Sequence, residues 1–163
     1  MRLTLLRHAK TETGHAGQDD WDRQLEPQGK RDAAQMSQRF KEAYPLPTLV
    51  ITSPAVRARA TAQLFAKELR IAQSAIVGDE RLYLASPKVM LQVVRELGGN
   101  AEHLLIVGHN PGITEFGDQL SCERSLDNMP TCSWYTMEVD LPNWSALEWG
   151  YGMNAELVYP GCS

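Results

Sequence analysis

The sequence predicts an α/β fold with a mostly parallel central sheet and antiparallel strands near its C-terminus, on three observations. Short apolar runs without a helical period recur at residues 3–6, 48–52, 75–77 and 103–107, the pattern of buried parallel strands. Between them lie stretches whose apolar residues recur at helical spacing. Aromatic and β-branched residues then dominate 133–139 and 146–159, split by Pro142-Asn143, which reads as antiparallel strands completing the sheet. Trp134, Trp144 and Trp149 in this region are expected in the core or on a sheet face.

The 163 residues suit one domain spanning 1–163, large enough to bury about two-thirds of its unfolded surface. A net charge of -4 without any Lys/Arg run argues against nucleic acid or an anionic membrane as the main partner, so any positive site must be local. The longest apolar stretches are strand-sized and no leader pattern opens the chain, so neither a membrane span nor a signal peptide is expected. Cys122, Cys132 and Cys162 make an odd set with no C-x-x-C spacing, which indicates neither a disulfide framework nor a zinc site and fits a reducing cytoplasm.

The first strand, residues 3–6, stops at Arg7-His8. In open α/β sheets the carboxyl ends of strands are where ligands bind, so a cation and an imidazole there are candidates for chemistry. Residues 9–24 form a polar loop over that end, from which Lys10 is the better candidate for touching a ligand and His15 is expected to be solvated. A helix follows residues 25–29, with Ala33, Met36, Phe40 and Ala43 inward, and ends before Pro45.

The second strand leads into Ser53-Pro54, expected as a helix N-cap with proline at the first helical position. Ala58, Ala62, Phe65 and Leu69 trace that helix's buried face, off which Arg57 and Arg59 fall. Arg57 in the first turn can reach the same crevice as Arg7. After the third strand, the adjacent acids Asp79 and Glu80 invite an acid/base role for one of them. Ser86-Pro87 repeats the cap-plus-proline start, with Met90, Val93, Val94 and Leu97 inward and Gly98-Gly99 as the stop. The fourth strand runs into Gly108-His109-Asn110-Pro111-Gly112, whose asparagine and proline open a helix burying Ile113, Phe116 and Leu120. His103 begins that strand at the opposite edge, so it is expected to be structural.

Strand ends thus deliver Arg7 with His8, Arg57 and His109 to one sheet edge. Several cations in one crevice of an acidic protein repel one another unless an anion is meant to sit there. A phosphoryl group fits, because arginine forks match its oxygens and stabilise the charge spread over them during transfer. No serine or cysteine is as well placed as His8 to be the nucleophile. A neutral imidazole attacks phosphorus if its other nitrogen donates to a carbonyl that fixes the tautomer, and the neighbouring arginines favour that neutral form. The four protein groups supply the charge that a magnesium ion would otherwise bring, so no metal or other cofactor is required.

Leu6-Arg7-His8-Ala9-Lys10, Ser53-Pro54-Ala55-Val56-Arg57-Ala58 with Thr61-Ala62, and Val107-Gly108-His109-Asn110-Pro111 resemble the three motifs of the histidine phosphatase (phosphoglycerate mutase-like) superfamily. Leu25 and Gly29 fit as well, so the likeness runs from residue 3 to about 120 in the right order. Within the superfamily, the short chain, Ala9, Leu82-Tyr83-x-Ala85-Ser86-Pro87 and Gly108-His109-Asn110-Pro111-Gly112 resemble the SixA-type phosphohistidine phosphatases.

The resemblance implies a three-layer α/β/α sandwich, His8 as the phosphorylated nucleophile, and Arg7, Arg57 and His109 as the phosphate pocket. Lys10 and Asn110 are further candidates for binding the substrate. The resemblance departs in two places. Ala9 stands where the usual motif has glycine, and the best counterpart of the mutases' proton-donating glutamate is Glu80, with Asp79 second. A weak general acid handicaps alkyl esters, whose alkoxide leaving groups need a proton, more than phosphohistidine, which releases an imidazole. Each connection between motifs is about one helix long, which leaves little chain for a lid. The expected activity is hydrolysis of phosphohistidine on a phosphorelay or phosphocarrier protein. A phosphatase of small phosphoesters and a non-catalytic phosphate-binding module are the alternatives, and zinc held by His8 and His109 is disfavoured because no third ligand has motif spacing.

Overall fold

The computed structural model describes residues 1–162. Six strands form one sheet: β1 (Arg2–Arg7), β2 (Leu49–Thr52), β3 (Ile76–Gly78), β4 (His103–Gly108), β5 (Trp134–Glu138) and β6 (Met153–Val158). Their order across the sheet is β3-β2-β4-β1-β5-β6. β1, β2, β3 and β4 run parallel, whereas β5 and β6 join antiparallel beyond β1. This is the mostly parallel α/β sheet with an antiparallel C-terminal edge that the sequence predicts.

Alternation along the strands separates two cores. Leu3, Leu5, Ile51, Leu104, Ile106, Tyr135 and Met137 pack on one face with Val93 and Val94 of α3 (Pro87–Leu97) and Phe116 of α4 (Gly112–Leu120). Leu6, Val50, Leu105, Val107 and Trp134 pack on the other with Phe40 of α1 (Pro27–Ala43) and Phe65 of α2 (Val56–Leu69). Helices on both faces make the three layers. The four helices also bury most of the positions that their spacing picks out, including Ala33, Met36, Ala58, Ala62, Leu69, Met90, Ile113 and Leu120.

Several expectations are corrected. Ala43 closes α1 with its methyl in solvent, and Leu97 closes α3 at 36% exposure while Leu91 is buried in its place, because the last turn of each helix leaves the sheet. The third strand is shifted to Ile76–Gly78, behind a 3-10 turn at Gln73–Ala75. β6 begins only at Met153, since Trp144–Ala146 form a 3-10 turn that wedges Trp144 under the end of α3. Trp134 and Trp144 are core residues, but Trp149 lies at the surface against Phe116.

Ser53 is not the cap of α2. That helix starts at Val56 after Ala55 without a side-chain cap, and the Ser53 hydroxyl is used at the site described next. Ser86 does cap α3, accepting the Val89 N–H. At α1, Gly29 sits against the Lys10 carbonyl, where an added methyl would collide with backbone. The absence of a side chain there lets the helix abut the segment that carries His8.

Candidate active site

β2, β4 and β1 are neighbours, and their register sets the level at which the site is built. Arg7 pairs with Gly108, and Thr52 with Val107, so the residues just beyond them, His8, His109 and Ser53, emerge side by side at the carboxyl edge. The His8 and His109 rings lie 5.3 Å apart between centroids. Arg57, second residue of α2, is 3% exposed and lines the same crevice as Arg7, His8 and His109. The four groups therefore converge, and with Lys10, Thr11, Asp20, Arg23 and Asn110 they bound a volume of about 360 Å³.

The segment that carries His8 is tied on both sides. His8 Nδ1 lies 2.8 Å from the Ala9 carbonyl, an acceptor that requires Nδ1 to carry the hydrogen and leaves Nε2 with a free lone pair. The Ala9 N–H donates to Thr61 Oγ1, and that hydroxyl donates to the Arg57 carbonyl. One threonine thus links the turn after His8 to the first turn of α2. The methyl that distinguishes Ala9 from the usual glycine is fully buried in the core formed with α1 and α2.

His109 is oriented by Ser53, whose Oγ lies 2.7 Å from Nε2. The Ser53 hydroxyl also accepts the Ala55 N–H, so its own hydrogen is available to Nε2. That places the hydrogen of neutral His109 on Nδ1. Burial is the main cause that pushes His109 down to about 3, with the charges of His8 and Arg57 adding to it. Burial likewise pushes His8 down to about 4, against the Ala9 bond and assisted by Arg57 and Arg7. Both rings are neutral at pH 7, which leaves His8 with a free lone pair and His109 with a free N–H donor.

Among the described residues, the only buried side-chain nitrogen or oxygen atoms without a hydrogen-bond partner are Arg7 Nε, Arg57 Nε and His109 Nδ1. All three belong to side chains that line this crevice. An unpaired buried donor costs about 1–3 kcal/mol, and three of them converging mark a place built for a multivalent acceptor. The remaining arginine nitrogens help to fix the guanidinium groups. Arg7 Nη1 donates to the Met129 carbonyl at 2.9 Å.

Arg57 reveals a residue that sequence reasoning missed. Its Nη1 donates to the Asp20 carbonyl at 2.7 Å and its Nη2 to Asp20 Oδ2 at 2.8 Å. Asp20 belongs to a 3-10 turn at Asp20–Asp22 in the loop over the strand end, whose acids the sequence does not single out. Tyr83 donates its hydroxyl to the same Oδ2 at 2.6 Å, and Arg23 Nη1 reaches Oδ1 at 3.1 Å. The Tyr83 bond, with Arg23 and Arg57, holds the Asp20 carboxyl well below the usual carboxylate range. Tyr83 also sets its ring edge-on to His109 and to Trp21. The sequence signal was the acidic pair Asp20-x-Asp22 followed by Arg23, indistinguishable by composition from a solvated turn.

The expected acid is not in place. Asp79 caps the Glu80–Leu82 turn and is bound by Arg81. Glu80 is exposed and does not line the crevice, because the turn directs Tyr83, not Glu80, toward Asp20. Lys10 does line it, exposed and 3.4 Å from Glu26. Asn110 lines it too, but its amide donates to Asn128 and Met129 and accepts from Thr114, which ties down the loop that also receives Arg7. His15 is exposed, away from the crevice. His103 is buried at the other end of β4, bonded to Pro45 and Thr4. A larger groove of about 850 Å³, between α3, α4 and Trp149, contains none of the four convergent groups.

Comparison with known proteins gives the family and the fold. Residues 3–83, which include His8 and Arg57, match the model of the histidine phosphatase superfamily (branch 1). An uncharacterized Mycobacterium tuberculosis protein is 29% identical over 158 residues, covering 89% of this chain and 93% of its own. A structure described as the phosphohistidine phosphatase SixA of Agrobacterium tumefaciens superposes with a TM-score of 0.78 at 26% identity, over 85% of this chain and 91% of that one. A protein histidine phosphatase SixA complexed with tungstate superposes with a TM-score of 0.79 over 98% and 95% of the two chains, and at 16% identity it speaks for the fold alone.

Proposed function

The chain belongs to the histidine phosphatase superfamily and is a phosphatase, and from that premise we propose that it hydrolyses phosphohistidine on a protein substrate through a phosphohistidine formed at His8. The observation that carries this reading is the crevice in which His8 Nε2 is left free while Arg7, Arg57 and His109 each keep a buried, unpartnered N–H. A tetrahedral oxyanion offers the acceptors those groups lack. Tungstate, named in the complex of a SixA that shares this fold, is an anion of that kind.

The chemistry follows from the proton positions. The lone pair of His8 Nε2 attacks phosphorus in line, the bond from phosphorus to the substrate's ring nitrogen breaks, and that nitrogen keeps the electron pair. Nδ1–H remains on Ala9, so the phosphorylated ring carries the positive charge. Arg7, Arg57 and the His109 Nδ1–H stabilise the three equatorial oxygens. Water then attacks phosphorus, the bond to Nε2 breaks, and neutral His8 returns as phosphate leaves. Lys10, on the exposed rim, meets the surface of the protein that presents the substrate.

The absence of Glu80 from the crevice, with Asp20 held ionised, favours this substrate over alkyl phosphates, which need a proton on the leaving oxygen. The small volume admits small phosphoesters as well, which sustains that second reading. Three free cysteines fit a reducing cytoplasmic setting, and among the described residues no helix is long and apolar enough to cross a membrane. The test is phosphate release from a histidine-phosphorylated phosphocarrier protein set against a panel of small phosphomonoesters. The expected outcome is a preference for the phosphoprotein that is lost in His8→Ala. A preference for one small ester, or retained turnover in His8→Ala, overturns the reading.

A further inference from the structure

The Asp20 carboxylate is costly to explain as a passive neighbour. It stands in a crevice whose other charges fit an anion, and it is itself an anion, kept ionised by Tyr83, Arg23 and Arg57. A carboxylate there weakens the hold of any phosphoryl group. It has to be compensated by something it does for the rest of the substrate. Its side chain is 43% exposed and lines the crevice, so it stands at the mouth, where the part of a substrate beyond its phosphoryl group has to sit. Oδ1 accepts from Arg23 alone, so one of its lone pairs is available.

Resting on the phosphohistidine reading, we propose that Asp20 is a specificity-determining residue that selects phosphoramidates whose phosphorylated imidazole ring is cationic and leaves as neutral imidazole. The substrate ring enters protonated on the nitrogen that does not carry phosphorus, and that N–H donates to the free lone pair of Asp20. When the P–N bond breaks, the ring retains the bonding pair on one nitrogen and the proton on the other, and departs as neutral imidazole. No proton donor is required, and none of the carboxyls in the crevice supplies one. For an ester the same carboxylate faces a developing alkoxide or phenoxide and repels it. One fixed charge therefore raises the rate on one substrate class and lowers it on the other.

The alternative is that Asp20 only positions Arg57, and the two differ in a ratio. N-phosphoimidazole and phenyl phosphate are compared on wild type, Asp20→Asn and Asp20→Glu, with the inhibition constant of inorganic phosphate as the measure of Arg57 placement. The expected result is that Asp20→Asn lowers the kcat/KM ratio, phosphoimidazole over phenyl phosphate, at least tenfold, whatever loss is common to both. Asp20→Glu, which retains the charge, keeps the ratio within about threefold of wild type. Asp20→Ser removes the carboxylate with a smaller side chain and is held to the same readout if the asparagine variant does not fold. Tyr83→Phe leaves the charge and hence the ratio. Equal losses on both substrates in the variants lacking the carboxylate overturn the proposal while leaving the phosphohistidine reading intact. A wild-type enzyme that cleaves phenyl phosphate but not phosphoimidazole overturns both.

Discussion

β4 carries a histidine at its start and another just past its end, and the two could hardly be distinguished by burial. His103 is 2% exposed and pushed down to about 4, and His109 is 3% exposed and pushed down to about 3, each chiefly by desolvation. The difference is in their bonds. His103 has both ring nitrogens occupied, at 2.7 Å from the Pro45 carbonyl and 2.7 Å from Thr4 Oγ1. His109 has one nitrogen on Ser53 and the other buried without a partner, beside two arginines in the same condition. A depressed pKa therefore reports burial at both ends of the strand. An unmet donor that converges with others reports a ligand.

That contrast is open to direct attack, and removal of the proposed nucleophile should have the largest effect. His8→Ala is expected to lower turnover by about 10⁴-fold or more, with a thermal midpoint near that of wild type. Measured phosphate release above that level in a folded variant would detach the chemistry from this ring. Arg57→Ala should cost about 10²–10³-fold in kcat/KM, the loss typical of a donor that meets transition-state charge, and steady-state kinetics would register it.

The two ends of β4 should then separate. His109→Ala is expected to lower kcat/KM by about 10²-fold with little change in stability. His103→Ala strands the Thr4 hydroxyl and the Pro45 carbonyl and should cost about 1–3 kcal/mol of folding stability. Its activity per folded molecule should stay at the wild-type level. Denaturant melts paired with active-site titration distinguish these outcomes, and a reversed pattern would exchange the roles assigned here.

The smallest effect is expected from pH near neutrality. In the proposed mechanism His8 attacks as the neutral ring, which protonates only near about 4, so its contribution to kcat/KM should be flat from about pH 8 to 5.5 and fall below that. Stability should respond earlier. His8, His103 and His109 have folded values below their unfolded ones, so the unfolded chain binds more protons in between. Their contribution is fully present above about pH 6.5 and is lost as pH falls from there through about 4 and about 3. A rate that drops by half between pH 7 and 6 without loss of fold would contradict a desolvated nucleophile.

The strand runs and helical stripes made the layers legible, because sheet alternation and helix period are local consequences of which face is buried. Arg7, His8, Arg57 and His109 were legible for a related reason, since each lies within a few residues of a strand's carboxyl end and topology gathers those ends. Asp20 was not. It reaches Arg57 across 37 residues from a loop without period, and nothing local distinguishes it from Asp19 or Asp22. The misplaced acid has the same origin: adjacency to a strand end brought Glu80 forward, but only the turn geometry decides that Tyr83 faces the site and Glu80 the solvent. Ser53 misled in the same way, for a hydroxyl before a proline resembles a helix cap until His109 is seen within 2.7 Å of it.

The central claim is that phosphorus bonds to His8 Nε2, and quenched-flow mass spectrometry of the enzyme mixed with phosphoimidazole tests it most directly. The account predicts one phosphoryl group, on the peptide carrying His8, stable in alkali and lost in acid, and absent from His8→Ala. A phosphoryl group found on any other residue would contradict it, as would wild-type turnover in which no labelled enzyme accumulates or exchanges.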